Sequence, residues 1–472
     1  MSSEITPTAL RARFDAMMAA ARANPATPWA LRERRLRALS ALVSENEAAL
    51  AAAISADFGQ RAVAETELAE VFPTLSGIRH ALRHGPRWMR PRRRPVSILF
   101  RPGANHIQPQ PLGLVGIMAP WNYPLYMVTG PLIGALAAGN RAMVKVSEHV
   151  PAFADWLASN APRYFDAEDL AIVTGGPEVA QSFSALPFDH LFFTGSGAVG
   201  RQVMAAAAAN LTPVTLELGG KSPVLVTDSA NLDRAVARIM TGKTLNAGQT
   251  CVAPDYALIP RPLVADFISK SRDWVRKHYP RIATSRDYTR IINDRQFARL
   301  TAALDEARAA GADVIALTDA TPDPASRLLP PVIVTGAPDD SALMREEIFG
   351  PILPVIPTDG MTEALRIISD RPRPLAFYIF AEDRAQIARA LDAVVAGGVS
   401  INETIMHVAQ EELPFGGVGA SGMGSYHGQA GFDTFSHLKS VFHQSRLNGL
   451  GLLAPPYGAR FKSMMRLVRR LG

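Results

Sequence analysis

At 472 residues the chain is longer than the ~250 to 300 residues at which single hydrophobic cores stop growing, so at least two domains are expected. Hydrophobic residues at 48% and charged residues at 19% exclude an intrinsically disordered chain, and a single cysteine excludes an intramolecular disulfide. The net charge of +6 would mark an acidic partner only where it clusters on one surface.

In chain order, the N-terminus shows no basic segment followed by an apolar run and a small-residue cleavage site, so the cytoplasm is the expected compartment. The first cluster of charge is RHGPRWMRPRRRP, residues 83–95, with six arginines among Pro and Gly breakers. That composition describes a solvated connector, and no nucleic-acid partner is expected.

Residues 113–140 hold no charge, a stretch longer than the ~20 residues a transmembrane helix needs. Pro120, Asn122, Pro124 and Pro131 break it, because proline removes a backbone donor and clashes with the preceding turn. The stretch instead predicts a buried strand (LVGIMA), a turn (PWNYP) and a buried helix stopped by the glycine of AAGN. Short apolar runs then alternate with helical patterns: RAMVKV (141–146), LAIVTGG (170–176), HLFFTG (190–195) and PVTLEL (213–218). Unbroken apolarity in such short runs marks strands covered on both faces, with parallel crossovers between them. After Lys221 the alternation begins again with SPVLV, YALIP, VIVTG, LAFYIF and GVSIN. The expected fold is α/β, two doubly wound domains that meet near residues 217–221. A cleft between domains is where ligands tend to sit.

The last segment, RFKSMMRLVRRLG, predicts an amphipathic helix with Phe461, Met464, Met465, Val468 and Leu471 opposite Lys462, Arg466, Arg469 and Arg470. A basic surface segment of this kind is usually a solvated connector or a helix docked on the same protein, and contact with a membrane surface is not expected.

Two features carry chemistry. GSGAVG, residues 195–200, follows an apolar strand and opens a helix, the context in which glycines let backbone amides approach a pyrophosphate. Glu217 lies near the spacing expected of a ribose carboxylate, but its strand is not the first of the sheet, and VKVSE offers Lys145 and Glu148 at another strand end. The lone Cys251 sits in LNAGQTCVAP. A lone cysteine is usually a small buried hydrophobe, whereas a nucleophilic one needs an accessible field that lowers its pKa, an oxyanion donor and, for hydrolysis, a base. Asn122 and Glu217 are the candidates for donor and base.

PWNYP (120–124), VKVSE (144–148), FTGSGAVG (193–200), LELGGKSP (216–223), GQTC (248–251), EEIFGPILPV (346–355) and PFGGVGASGMG (414–424) together resemble the aldehyde dehydrogenase superfamily, in that family's order. The segment from Met406 to Val441 and the short C-terminus look like its class 3 branch, most of all the bacterial members that oxidise coniferyl aldehyde. The resemblance implies a dinucleotide-binding domain (1–92 and 112–219), a bridging, oligomerising β segment (93–111), a catalytic domain (220–415) and a C-terminal segment (416–472) that returns to the bridging element. It implies that Cys251 attacks the aldehyde to give a thiohemiacetal and then a thioester, that Asn122 holds the oxyanion, and that Glu217 activates the hydrolytic water. Lys145 and Glu148 are implied to hold the adenosine ribose, Gly195, Ser196 and Gly200 the pyrophosphate side, and Glu347 and Phe349 the nicotinamide side. The implied cofactor is NAD, with NADP tolerated by class 3 relatives; Glu148 would repel a 2′-phosphate. A homodimer is implied, and no metal is expected.

An aryl propenal needs flat walls and a polar group for its phenol, and Tyr123, His407 and Phe415 are the substrate-side candidates, with His407 equally readable as a hydrogen-bonded loop histidine. A medium- or long-chain aliphatic aldehyde is the alternative substrate, and a noncatalytic binding protein on the same fold the alternative of another class. Two departures stand out: Val146 occupies a place where the family usually has proline, and residues 83–95 are unusually arginine-rich for the family's linker.

Overall fold

The computed structural model describes residues 5–449, 451 and 454–471. Helices Pro7–Ala23, Trp29–Ser44, Glu47–Phe58 and Phe72–Trp88 open the chain. The first begins where the Thr6 side chain accepts the Ala9 amide and Pro7 presets a helical φ. Strands β1 (Arg92–Arg94) and β2 (Ala104–Pro111) leave this helical layer. They are followed by β3 (Leu114–Met118), β4 (Arg141–Lys145), β5 (Leu170–Val173), β6 (His190–Gly195) and β7 (Val214–Leu218). The second half holds β8 (Pro223–Val226), β9 (Tyr256–Pro260), β10 (Asp313–Ala316), β11 (Val332–Thr335), β12 (Ile352–Thr358), β13 (Ala376–Phe380) and β14 (Gly398–Ile401). Near the end come β15 (Gly422–Met423) and β16 (Ser436–His443).

The strands form three sheets. One runs β15-β7-β6-β3-β4-β5, parallel except where β15 pairs antiparallel with β7. Another runs β10-β11-β12-β9-β8-β13-β14, antiparallel only between β10 and β11. A small antiparallel sheet, β1-β2-β16, joins the chain's first third to its end. The doubly wound α/β expectation is met in both large sheets, and the strand order of the first reverses beside β3, the kind of switch point where ligands collect.

The uncharged stretch at 113–140 resolves as strand, turn and helix. Every residue of β3 is buried, and the helix Tyr126–Ala138 is buried on nearly all sides and ends at Gly139 with φ 97. A side chain at that φ would be strained, so glycine is what allows the chain to turn straight into β4. No helix among the described residues is long and apolar enough to cross a membrane. The C-terminal helix Ala459–Leu471 forms, but Phe461, Met464, Met465 and Val468 are only half-buried on its apolar face; the Leu471 side chain lies outside the described residues.

Candidate active site

β3 delivers the chain into the turn at residues 119–125, and a buried ion pair fixes that turn. Glu70 accepts the backbone amides of Leu125 at 2.7 Å and Tyr126 at 3.2 Å, capping a helix that has no side-chain cap of its own. Arg61 pairs with Glu70 at 2.8 Å, both side chains being fully buried, and donates to the Asn122 carbonyl at 3.1 Å. The same guanidinium lies 4.8 Å from the Tyr123 ring centre and 5.1 Å from that of Phe58. Asn122 is thereby held with its side-chain amide donating to the Gln249 carbonyl at 3.2 Å.

That contact ties the first domain to the cysteine turn. After the helix Leu232–Thr244, Asn246, Ala247 and Gly248 take φ 50, 51 and 72, three successive residues in the left-handed region. A Cβ at Gly248 would stand 2.4 Å from the Gly350 carbonyl oxygen, so only glycine fits there. Asn246 donates to the carbonyls of Asn122 at 2.9 Å and Gln249 at 3.1 Å, while its own amide donates to Glu65 at 3.1 Å. The fully buried Gln249 side chain donates to the carbonyls of Asn246 and Arg290, both at 3.0 Å, and accepts the Ile292 amide at 2.9 Å. On the far side of the cysteine the Tyr378 hydroxyl donates to the Val252 carbonyl.

Cys251 is partly exposed as a residue, but burial of its sulfur pushes the thiol up to about 12. Glu347 and Glu217 add to that rise, and the backbone amides of Cys251 and Val252 oppose it. Glu217 is 3% exposed on β7, neither carboxylate oxygen has a hydrogen-bond partner among the described residues, and burial holds its pKa well above the ordinary range. Glu347 is pushed up to about 8 by burial and then by Asp255, with the Gly220 amide donating to it in opposition. Two buried carboxyls therefore face one thiol, the arrangement of perturbed groups that marks reactive sites.

Of the cofactor-side residues, Lys145 ends β4 and lies 3.6 Å from Glu148, which approaches His149 at 3.9 Å. Ser196 caps the helix Gly197–Ala208, its hydroxyl accepting the Val199 amide at 3.4 Å. Gly195 sits under the Phe193 ring and Gly200 is buried against Leu218, where a Cβ would come within 2.5 and 2.6 Å respectively. The loop carrying Glu347 and Phe349 is pinned from behind: Lys221 pairs with Asp255 and donates to the carbonyls of Leu343 at 2.6 Å and Glu346 at 2.9 Å, and Asp255 accepts the Ile348 amide at 2.9 Å. Phe349 has φ 50 and meets Trp121 edge-on at 5.3 Å between centroids.

The substrate-side candidates occupy two settings. Tyr123 is buried, with its hydroxyl 2.7 Å from Thr250 and its face under Arg61, so it acts inside the turn's own framework. His407 bonds Ser400 through Nδ1 at 2.9 Å, leaves Nε2 without a hydrogen-bond partner among the described residues, and is pulled down to about 4 by burial. It packs in an aromatic group with Tyr378 at 6.1 Å and Phe415 at 6.3 Å, and Phe415 stacks on His427 at 5.5 Å.

The residues that hold the site from behind, Arg61, Glu65, Glu70 and Asn246, carry no motif. Lys243 had a signal: it continues the buried stripe of Ala235, Val236, Ile239 and Met240, a cation on an apolar helix face. It is fully buried, its Nζ has no hydrogen-bond partner among the described residues, and burial brings it down to about 8.

The aldehyde dehydrogenase family profile matches residues 3–441. The chain is 48% identical over 462 residues to a probable coniferyl aldehyde dehydrogenase of Pseudomonas aeruginosa, covering 98% of this chain and 96% of that protein. It is 42% identical over 443 residues to a coniferyl aldehyde dehydrogenase of a Pseudomonas species, covering 93% and 92% of the two chains. Its fold superposes on the substrate-bound state of Staphylococcus aureus AldH with a TM-score of 0.92 and 39% identity, over 97% of this chain and 99% of that one. A chain that places a single thiol, a side-chain amide and a buried carboxyl at one domain junction, and that matches this profile over nearly its whole length, belongs to the aldehyde dehydrogenase family and is an enzyme that oxidises aldehydes.

Proposed function

We propose that the enzyme converts coniferyl aldehyde, or a closely related aromatic aldehyde, to its carboxylic acid with NAD, as a cytoplasmic homodimer. The observation that carries this reading is the hydrogen bond from Asn122 to the Gln249 carbonyl, which brings the oxyanion amide to the cysteine turn. The aromatic group around His407 and Phe415, together with the names of the two Pseudomonas relatives, supports the substrate. The dimer rests on the class 3 resemblance and on β16, an eight-residue edge strand of the kind another chain can extend.

The residues present fit a nicotinamide dinucleotide. Lys145 and Glu148 lie at the carboxyl end of β4, Ser196 and the helix behind it offer an N-terminus to a pyrophosphate, and Glu347 keeps one oxygen unpartnered beside Gly219. Gly195 and Gly200 shape that approach, and Phe349 closes the nicotinamide side. When bound, the cofactor supplies the hydride acceptor and a positive charge.

In the proposed reaction Cys251 gives its proton to solvent, favoured by the positive charge that the bound cofactor would bring, and its sulfur bonds the aldehyde carbon. The charge that develops on the oxygen is met by the Asn122 side-chain amide and the Cys251 backbone amide. Loss of hydride from that carbon leaves a thioester. Glu217 then takes a proton from the water that attacks the thioester, and Cys251 leaves as thiolate. Because burial holds Glu217 protonated well above the usual carboxyl range, hydrolysis is expected to quicken as pH rises through its pKa.

The test is NADH formation by purified enzyme with coniferyl aldehyde, benzaldehyde and hexanal, alongside Cys251→Ala. The highest kcat/KM with coniferyl aldehyde and a silent variant support the proposal; faster turnover of hexanal removes the aromatic assignment, and an active variant removes the thiol. Glu148→Gln is expected to raise kcat/KM with NADP relative to NAD, and an unchanged ratio would remove Glu148 from cofactor choice.

A further inference from the structure

Away from the cysteine, two histidines on the helix Phe72–Trp88 meet the loop that follows His407. His80 and His84 are four residues apart on that helix, so their rings share one face, with centroids 4.5 Å apart. Glu412 reaches them from the loop, placing Oε1 3.4 Å from His80 Nε2. One ligand atom from each of the three residues lies within 4.8 Å of the others. His80 Nε2 is buried and makes no hydrogen bond among the described residues.

We propose that His80, His84 and Glu412 form a divalent transition-metal site, of the class that takes Zn2+ or Co2+, which ties the helix Phe72–Trp88 to the segment leading into Phe415. Neighbouring tetrahedral ligands at metal bonds of ~2.0 to 2.1 Å stand roughly 3.3 to 3.4 Å apart, which is the separation of His80 Nε2 and Glu412 Oε1. A histidine pair at i and i+4 presents two nitrogens to one ion, and the third ligand needs a small inward rotation of His84, which is half-exposed. Glu412, with 77% of its side chain exposed, is free to follow.

The charges around the site set its strength. Arg83 repels a dication, and Glu411, beside Glu412 in the chain, is pushed up to about 7 by burial and so offsets that repulsion only in part near neutral pH. Trp88 closes one side, 5.5 Å from His80 and stacked 6.1 Å from His84. Three protein ligands leave the fourth position to water, so a micromolar site of the open kind is expected rather than a closed structural one. The contact spans residue 80 and residue 412, and a bound ion would hold the segment between His407 and Phe415 against the helical layer.

The experiment uses the full chain carrying Cys251→Ala, which removes the sole thiol as a competing ligand, titrated with Co2+ and Zn2+ by calorimetry and by the visible absorption of tetrahedral Co2+. The expected result is one ion per chain, a melting temperature raised by about 2 to 3 °C at a hundredfold excess over Kd, and affinity at least tenfold weaker in His84→Ala and Glu412→Ala. His443→Ala, which alters the separate stacked pair of His106 and His443, is expected to leave binding unchanged. No binding at millimolar metal, or binding that His84→Ala and Glu412→Ala both leave intact, overturns the site. Those two side chains are half-exposed or exposed, so the test does not depend on tolerance of a change at His80.

Discussion

The cysteine turn at residues 245–251 and the C-terminal helix Ala459–Leu471 are opposite answers to the same problem of ordering a short segment. The turn holds three successive residues at positive φ, conformations costing an L residue other than glycine about 1–2 kcal/mol each, and it is held by partners far away in the chain: Glu65, Asn122, Arg290 and Ile292. The helix satisfies its backbone within itself and leaves its apolar side half-buried. Local regularity and functional position are therefore separate properties here. The segment that could not hold its own shape is the one that carries the thiol, and tertiary hydrogen bonds supply what its sequence lacks.

Changes beneath the turn should break this contrast most strongly. Arg61→Met strands the buried Glu70 carboxylate, and unfolding by urea is expected to show a loss of about 3–5 kcal/mol; the double variant Arg61→Met, Glu70→Gln should recover most of it. A double variant as unstable as the single one would mean that Arg61 acts through its bonds to Asn122 rather than through charge. Gln249→Ala leaves the Ile292 amide and the Arg290 carbonyl without their side-chain partner, while the Asn246 carbonyl keeps the backbone amide of residue 249, for an expected loss of about 2–3 kcal/mol and a fall of roughly a hundredfold in kcat from displacement of Cys251.

Glu217→Gln should move stability the other way while abolishing hydrolysis. A carboxyl whose folded pKa is raised by burial binds more protons folded than unfolded, so it destabilises increasingly as pH climbs from the ordinary value of 4.5 toward its folded pKa. The variant is expected to exceed the parent by about 1–2 kcal/mol at pH 8, with the difference vanishing near pH 4; thermal melts across that range read it directly. The smallest effect is expected from the other side of the comparison. Removing residues 459–472 should change stability by less than about 0.5 kcal/mol, and a larger loss in a melt would show that the helix is docked after all.

Much of the fold was legible because the central strands of its two large sheets are largely buried. LVGIMA, RAMVKV, HLFFTG and PVTLEL stand out as short, mostly apolar runs, and β3, β4, β6 and β7 lie within them. The strand β10, Asp313–Ala316, was not named: it is an edge strand of only four residues with half-exposed side chains, so it lacks that signal. The two-residue β15 is defined by its neighbour rather than by its own composition. At the site, Cys251, Asn122 and Glu217 were named because motifs surround them. Arg61, Glu65 and Glu70 were not, since charges just before and within a short helical stretch read as solvent-facing, and only the packing of that stretch against residues 122–126 and 246 turns them inward. Tyr123 was expected to line the substrate side; the Arg61 stack and the Thr250 bond that enclose it come from parts of the chain its local sequence does not mention.

The pairing of β7 with β15 sets a schedule. Glu217 lies opposite Gly422, and the Leu218 amide donates to the Ser421 carbonyl at 3.0 Å, so the strand that carries the carboxyl receives its second neighbour only from residues near the end of the chain. During synthesis the N-terminal parts emerge and fold first. The thiol's turn is therefore already outside the ribosome while the strand bearing its carboxyl still has an open edge. A chain truncated before residue 421 would keep β7 paired with β6 but leave its other edge, beside Glu217, without a neighbour.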